Sequence, residues 1–202
     1  MKRTSLMTAF LLPVGAVSLS GCGINSIPTA EEKAKKEWAD VEAAFQRRAN
    51  LVNNLEATVK GAAGAENRTL TQVTEARASA TQVKLSGDQL SDPEAMKRFA
   101  EAQSRFSAAI LPLQRMQEAY PELKSQANFP LLMSQLEGME NRINVEIADY
   151  NEAVQAYNTQ IRTFPAVIGA KVIYGSKPME PYRSVTPNAE VAPEVNFDTN
   201  AQ

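Results

Sequence analysis

Hydrophobic residues recur at every third or fourth position through residues 128–164. They are Phe129, Leu132, Leu136, Met139, Ile143, Ile147, Tyr150, Val154, Tyr157, Ile161 and Phe164. This spacing lines one face of an α-helix and does not fit a β-strand. At ~1.5 Å of rise per residue the helix spans roughly 55 Å, so it needs partners of comparable length to cover its apolar face. The pattern predicts an all-α protein, an antiparallel four-helix bundle, whose long helix ends at Pro165.

A first helix is predicted to begin near Ala30, because its apolar residues repeat at heptad spacing. They are Trp38, Val41, Phe45, Val52, Leu55, Val59 and Ala62. Arg48 occupies one position of this same face. Gly61 and Gly64 each cost a helix ~1 kcal/mol relative to alanine, so we expect the first helix to end there.

Two further helices are predicted between these glycines and the long helix. The second covers residues 65–86 and has an alanine-rich apolar face, which lets neighbouring helices approach closely. The Ser-Asp pair before Pro93 is suited to cap the third helix, and Pro93 to occupy its first turn. Pro112 is expected to kink this third helix, and Pro121 to end it.

No clear period continues beyond Pro165. Residues 166–175 are apolar and partly β-branched, but they show no repeat. From Ser176 onward the chain holds four prolines and few large apolar residues, so we expect it to be extended or disordered. Residues 166–202 are therefore predicted to be a C-terminal extended segment and tail, poorly structured from Ser176 onward.

The start of the chain has the pattern of a secretory signal. Lys2 and Arg3 precede an apolar run at residues 6–17, which Pro13 interrupts and which is too short to span a bilayer comfortably. Leu-Ser-Gly-Cys, ending at Cys22, resembles the bacterial lipobox, in which the cysteine is acylated and the chain is cut just before it. We expect Cys22 to be the site of lipid attachment; the alternative is an ordinary signal followed by an unrelated cysteine.

These features divide the chain into a signal peptide at 1–21, a tether at 22–29, a bundle at 30–165 and the C-terminal segment at 166–202. Two or three acyl chains hold a protein stably on a membrane, whereas one chain is marginal. By resemblance to lipoproteins of bacteria with two membranes, Gly23 in place of aspartate favours transfer to the outer membrane. The expected location is the bacterial cell envelope, with the periplasmic face of the outer membrane favoured over the inner membrane.

Composition argues against several classes of function. The formal net charge of −2 provides no positive surface for nucleic acid, and no basic cluster along the sequence indicates binding to anionic lipid. Because Cys22 is the only cysteine, no disulfide forms within the chain. The chain has no histidine, which removes the commonest general base and the commonest metal ligand. We therefore expect no catalytic residue, no cofactor and no metal ligand.

Carboxylates are the remaining candidates for chemistry. Glu75 and Glu140 are each followed two residues later by an arginine, Arg77 or Arg142. One interpretation is a buried acidic site or a carboxylate metal cluster, but metal sites in bundles usually add histidine. Ion pairs on helix surfaces are the favoured interpretation.

Arg47 and Arg48 are adjacent basic residues on the first helix. Together they could grip an anionic partner. Because Arg48 lies on the apolar face, we favour an ion pair from Arg48 to Glu75 or Glu140 across helices.

Two Tyr-Asn pairs, at 150–151 and 157–158, lie one heptad apart on the long helix. They therefore share one face of that helix. We favour polar layers that fix the register of neighbouring helices over ligand contacts for these pairs.

Four blocks of sequence occur in an order and spacing that characterise one family. They are Gln-Arg-Arg-Ala-Asn-Leu-Val-Asn-Asn-Leu at 46–55 with Val-Lys-Gly at 59–61, Val-Thr-Glu-Ala-Arg at 73–77, Glu-Ala-Tyr-Pro-Glu-Leu-Lys at 118–124, and Glu-Asn-Arg-Ile at 140–143 with the two Tyr-Asn pairs and Phe164-Pro165. Ala-Pro-Glu-Val-Asn-Phe at 192–197 also fits. The chain thus resembles the LemA family over about residues 32–198. This resemblance implies a membrane-attached antiparallel helical bundle of bacteria whose function is poorly defined.

The chain departs from the family pattern at several positions. Family members usually enter the membrane through an N-terminal transmembrane helix, whereas this chain has Cys22. The usual Asp and Pro of the first block are Asn50 and Asn53, and the His-Glu that often opens the second helix is Ala-Glu at 65–66. The arginine usual before the first Tyr-Asn pair is replaced by Ile-Ala at 147–148. A site built on those charges is not expected here.

The sequence therefore favours a non-catalytic scaffold or partner-binding lipoprotein of the cell envelope. Its partners would be the membrane, through the lipid anchor, and an unidentified envelope protein, and the chain could form homo-oligomers. Nucleic acid is not an expected partner. The alternative is a carboxylate-based envelope hydrolase or a metal-dependent enzyme, which a pocket of convergent acidic residues would favour.

Overall fold

The computed structural model describes residues 25–63, 67–119 and 128–185, and all regular secondary structure in these ranges is helical. The long helices are α1 (Ser26–Ala63), α2 (Asn67–Gln82), α3 (Pro93–Ala119) and α4 (Asn128–Gln160). A 3₁₀ turn, Gly87–Ser91, precedes α3. The short helix α5 (Ala166–Gly169) continues into a π-helical turn, Ala170–Tyr174. The predicted all-α fold is confirmed.

The four long helices form two packed pairs. α1 runs antiparallel to α4 along most of its length, as two contacts show: the Trp38 ring lies 5.0 Å from that of Tyr150, and Arg48 pairs with Glu140. α2 packs mainly on α3. The antiparallel four-helix bundle expected from the sequence is therefore present.

The first helix begins earlier than expected. α1 starts at Ser26 rather than near Ala30, so residues 26–29 belong to the bundle and not to a tether. Ile27 causes this, because its side chain is fully buried in one core cluster with Ala166 and Ala170. The predicted signal peptide and residues 22–24 of the predicted tether, including Cys22, lie outside the described residues.

The long helix ends earlier than expected. α4 stops at Gln160, and a turn follows over residues 161–165. Ile161 is still buried, but the Phe164 side chain is 82% exposed. The assignment of Phe164 to the buried face was wrong, because the chain leaves the helical path after Gln160 and the three-to-four-residue period no longer sets which side chains face inward.

The start of α3 follows the predicted capping. Asp92 Oδ1 accepts a hydrogen bond from the Glu94 backbone N–H at 2.9 Å, and Pro93 is the first residue of the helix. Pro112 lies inside α3. α2 ends at Gln82, four residues before the predicted end at residue 86.

Two clusters of buried apolar residues make up the core. The first contains Trp38, Phe45, Phe99, Ile143 and Tyr150, and it reaches to Ile27 and Ile161 at one end of the bundle. The second lies toward the other end and contains the following residues: Val52, Leu55, Leu70, Val73, Phe106, Leu113, Phe129 and Leu136, with four others. Within the described ranges, none of the helices has a stretch that is both long enough and apolar enough to traverse a bilayer.

Candidate functional site

A buried arginine connects all four long helices. Arg48 Nη1, from α1, donates to Ser107 Oγ at 2.8 Å and to Glu140 Oε1 at 3.1 Å. Arg48 Nη2 donates to Gln103 Oε1 at 2.9 Å. Gln103 Nε2 then donates to the Ala80 carbonyl of α2 at 3.1 Å. This set of side chains is called the Arg48 layer below.

The Arg48 layer lies between the two apolar clusters on three helices. On α1 it separates Phe45 from Ala49, and on α3 Gln103 lies between Phe99 and Phe106. On α4, Glu140 lies between Leu136 and Ile143. The guanidinium of Arg48 lies 5.0 Å from the ring centre of Phe45 and 5.1 Å from that of Phe106. Both rings present a negative face to a cation, so they help to compensate a charge that is 1% exposed.

The predicted pairing of Arg48 is confirmed for Glu140 but not for Glu75. Glu140 keeps 43% of its side chain exposed, so one partner of the pair is buried and the other reaches water. Glu75 lies exposed on α2. Neither Glu75 nor Glu140 pairs with the arginine two residues later, since Arg142 forms an ion pair with Glu146 along α4 and Arg77 bonds to Asn53.

Arg47 has a different environment from its neighbour. It is exposed and lines an open groove of about 430 Å³ between α1 and α4, together with Asn50, Asn54, Gly138 and Met139. A second cleft, of about 230 Å³, lies beside Gln103 between α1, α2 and α3. The two arginines therefore do not form one patch.

The Tyr-Asn pairs hold the segment that follows the helices. Asn158 Nδ2 donates to the Met179 carbonyl at 2.8 Å, and its Oδ1 accepts from the Met179 N–H at 2.9 Å. Asn151 makes the same two bonds with the backbone of Tyr182, at 3.0 and 2.8 Å. Tyr150 Oη donates to the Glu180 carbonyl at 2.8 Å. The asparagines therefore bind a chain segment and are not the polar layers between helices that the sequence favoured.

Residues 176–185 have no regular secondary structure, but they are packed against the bundle. Met179 and Tyr182 are buried, and the Glu180 N–H donates to the Leu90 carbonyl at 2.8 Å. The prediction that the chain from Ser176 is poorly structured is therefore wrong for this segment. The sequence did not predict it because its hydrogen bonds use backbone groups, which carry no sequence pattern, and its two buried side chains are too few to form a period. Residues 186–202 lie outside the described part.

Tyr182 joins an aromatic group between the helices. Its ring centre lies 6.0 Å from that of Phe45 and 6.3 Å from that of Phe99. Burial, opposed by the charge of Arg48 and supported by that of Glu140, raises the pKa of Tyr182 to about 12. Burial also raises the pKa of Tyr150 well above its usual value. Both hydroxyls are therefore held in the neutral form.

The structure brings together three carboxylates that the sequence analysis did not connect. Oxygens of Glu37 on α1 and of Glu146 and Asp149 on α4 lie within 4.8 Å of one another. Such oxygens suit a hard cation such as Ca²⁺ or Mg²⁺. Two neighbouring cations already compensate this charge, since Lys36 contacts Glu37 at 3.2 Å and Arg142 contacts Glu146 at 2.5 Å.

Glu56 is a further polar residue that the sequence did not single out. It is 3% exposed within the apolar face of α1, and its Oε2 accepts from Thr74 Oγ1 at 3.1 Å. An alternation of polar and apolar residues at helical spacing did not distinguish this position from the exposed glutamates. The signal was its spacing, since Glu56 lies four residues after Val52 and three before Val59, and both valines are buried.

The fold and its polar residues define a class: an all-α antiparallel bundle with a buried arginine layer and a docked C-terminal segment. A sequence profile described as the LemA family matches residues 37–197. The chain belongs to the LemA family.

Among characterised proteins, the chain is 26% identical to magnetosome protein MamQ 2 of Paramagnetospirillum magneticum, strain AMB-1, over 70% of this chain. It is 25% identical to magnetosome protein MamQ of Magnetospirillum gryphiswaldense, strain MSR-1, over the same share. The matched region spans 58% of the length of each of these relatives.

Proposed function

We propose that this protein is a non-catalytic scaffold or partner-binding lipoprotein of the bacterial cell envelope, held on a membrane by acylated Cys22. The observation that carries the proposal is that the interior polar groups bind other parts of the same chain. Arg48 is bound by Glu140, Gln103 and Ser107, and the Tyr-Asn pairs are bound to the C-terminal segment. Polar groups that bind one another inside the protein hold its helices in place, and they are not available to bind a substrate.

The lipid anchor rests on the sequence around Cys22. Leu-Ser-Gly-Cys has the order that lipoprotein processing needs, and the one thiol of the chain lies at the position that is acylated. Membership of the LemA family, together with relatives described as magnetosome proteins, supports a role at a membrane. Gly23 supports the outer membrane as the destination, with the bundle in the periplasm.

The anchor is tested by mass spectrometry of the protein purified from the membranes of a diderm bacterium. We expect a mature N-terminus at Cys22 with acyl chains on that residue. The variant Cys22→Ser should remain an uncleaved precursor, held only by its signal segment. An unmodified N-terminus at another residue would contradict the lipid anchor.

The scaffold proposal has a competitor in the carboxylate cluster of Glu37, Glu146 and Asp149, which favours a metal-dependent enzyme. Metal analysis of the purified mature protein separates the two. The scaffold proposal expects no stoichiometric ion. An ion bound one to one in the native protein and lost in Glu146→Gln would support the enzyme instead.

Partner binding is tested by affinity capture of the full chain, at native expression, from detergent-extracted membranes. An envelope protein recovered reproducibly with this chain, and not with an unrelated lipoprotein of similar abundance, would support the proposal. Recovery of no such protein would argue against a partner-binding role.

A further inference from the structure

Several large apolar side chains are exposed together after the end of α4. They are Phe164, Ile168, Val172, Ile173 and Tyr174, and they are called the apolar tip below. Phe164 is 82% exposed and Val172 is 79% exposed. Scattered apolar residues on a surface need no explanation, but five large ones exposed within residues 164–174 are typical of a surface that contacts another apolar phase.

Helix α5 and the π-helical turn, which carry most of the apolar tip, bury their small side chains and expose their large ones. The small residues, Ala166, Gly169 and Ala170, are buried against the bundle, whereas Ile168 and Val172 are exposed. A segment that served only the core would turn its larger side chains inward, since burial of each contributes more than burial of alanine. This arrangement indicates that the large side chains have a partner outside the bundle.

The apolar tip lies at the end of the bundle from which the N-terminal chain emerges. Ile27, in the first turn of α1, shares a buried cluster with Ala166 and Ala170. Cys22 is four residues before Ser26, and four residues reach at most about 14 Å. An acylated Cys22 would therefore hold this end of the bundle close to the membrane surface.

Charge around the apolar tip matches an anionic membrane surface. Residues 161–179 contain Arg162, Lys171 and Lys177 and no acidic residue, although the whole chain has a net charge of −2. All three basic residues are exposed. Exposed apolar residues flanked by lysine and arginine are typical of segments that lie in the interface of a bilayer.

We propose that the apolar tip inserts into the headgroup region of the membrane to which Cys22 is anchored, and that Arg162, Lys171 and Lys177 bind anionic headgroups there. This rests on the proposed lipid anchor, and it adds a second contact that orients the bundle. With the start of α1 and the end of α4 both at the membrane, the opposite end of the bundle, near Phe129, projects away from it. The groove beside Arg47 would then face the aqueous phase at a fixed height.

Depth-sensitive fluorescence in the full chain tests the insertion. Val172→Cys and Val145→Cys place a thiol at two exposed valines, one on the apolar tip and one midway along α4, where it is 53% exposed. Each variant is purified from membranes, labelled with an environment-sensitive dye and reconstituted in vesicles. Acylated Cys22 does not react with the dye, so the unsubstituted protein reports any labelling of that thiol.

We expect the dye at residue 172 to shift to the blue and to be quenched at least threefold more by an acyl-chain quencher than the dye at residue 145. Equal, weak quenching at both positions would overturn the proposal. A blue shift at residue 172 that depends on protein concentration and not on lipid would also overturn it, because the tip would then bind a second copy of the chain.

Lipid composition tests the charged part of the contact. Each basic residue near an anionic surface is worth roughly fivefold in affinity. Quenching at residue 172 should therefore be stronger in vesicles with phosphatidylglycerol than in phosphatidylcholine alone, and Lys171→Glu should remove most of that gain. Equal quenching in both compositions would overturn the role of the basic residues.

Failure of the tip and failure of the anchor give different results. Mass spectrometry of the same samples reports whether Cys22 carries acyl chains. Acylated Cys22 with a water-exposed residue 172 contradicts the tip alone. Unmodified Cys22 contradicts the anchor and, with it, the reason for placing the tip at a membrane.

Discussion

Ile143 and Asn144 are neighbours on α4 with opposite environments. The Ile143 side chain is 3% exposed in the core, whereas Asn144 is exposed to solvent. Ile143→Ala should lower the free energy of unfolding by ~2 to 5 kcal/mol, because it removes buried methylenes and leaves a cavity. Asn144→Ala should change it by within about 0.5 kcal/mol. Urea unfolding of both variants of the full chain checks this, and equally mild effects would contradict a buried position for Ile143.

The Arg48 layer permits a second prediction at a single residue. Glu140→Ala should destabilise the protein by about 2 kcal/mol, because Arg48 stays buried with its charge less compensated. The cost stays below that of a fully buried pair, since Glu140 is half-exposed and Gln103 and Ser107 still bind Arg48.

Glu137→Ala is the matched control for Glu140→Ala, since Glu137 is exposed one turn earlier on α4. Thermal and urea unfolding of both variants should be compared at low salt and at 1 M salt. Screening acts weakly on a buried charge, so the effect of Glu140→Ala should survive high salt. Equal effects of the two substitutions would show that the Arg48–Glu140 pair contributes no net stability.

Two asparagines of α4 decide the path of a whole element, the segment at 176–185. Asn158→Ala removes both side-chain bonds to the Met179 backbone and leaves that N–H and C=O without their partner. We expect this segment to open locally, with hydrogen exchange at the Met179 amide at least tenfold faster. Amides in the middle of α1 and α4 should keep their protection.

Gln155→Ala is the control for the loss of an amide on α4, since Gln155 is exposed. It should leave exchange at Met179 and Tyr182 unchanged. If Asn158→Ala also left their exchange unchanged, the asparagine bonds would not be what holds the segment on the bundle.

At the scale of the whole molecule, buried tyrosines make stability depend on alkaline pH. Burial raises the pKa of Tyr182 to about 12, above its usual value of about 10. The folded state favours the neutral hydroxyl of Tyr182. The contribution of this preference to the free energy of unfolding is complete below pH ~10 and is lost as the pH rises through about 12. The free energy of unfolding should therefore decrease as the pH rises from about 10 to about 12.

Tyr182→Phe should reduce that alkaline loss by about 2 kcal/mol, because phenylalanine has no hydroxyl to ionise. Tyr174→Phe, at an exposed residue of the apolar tip, is the matched control. Urea unfolding from pH 8 to 12 measures the profile. Identical profiles for the native protein and Tyr182→Phe would contradict ionisation of Tyr182 as a cause of the alkaline loss.

The hydrophobic pattern was enough to predict the four long helices and their assembly. An apolar face as long as that of α4 can be covered only by other long helices, so the period of three to four residues determined an all-α bundle. The cap at Asp92 and the burial of Arg48 opposite an acidic residue followed from the same local chemistry. Each of these features depends on residues close together in the chain or on the position of one residue on a helix face.

Only the tertiary structure decided where the buried face of α4 ends and which segment of the chain covers it. Phe164 continues the period of α4 but is exposed, because the chain turns after Gln160. The basic bias of residues 161–179 is visible in the sequence, but only the fold shows that Ile168 and Val172, in the same segment, are exposed. Residues 176–185 bind through backbone N–H and C=O groups, and every residue carries these. Their partners, Asn151 and Asn158, become recognisable as binding groups only when folding places the segment beside them.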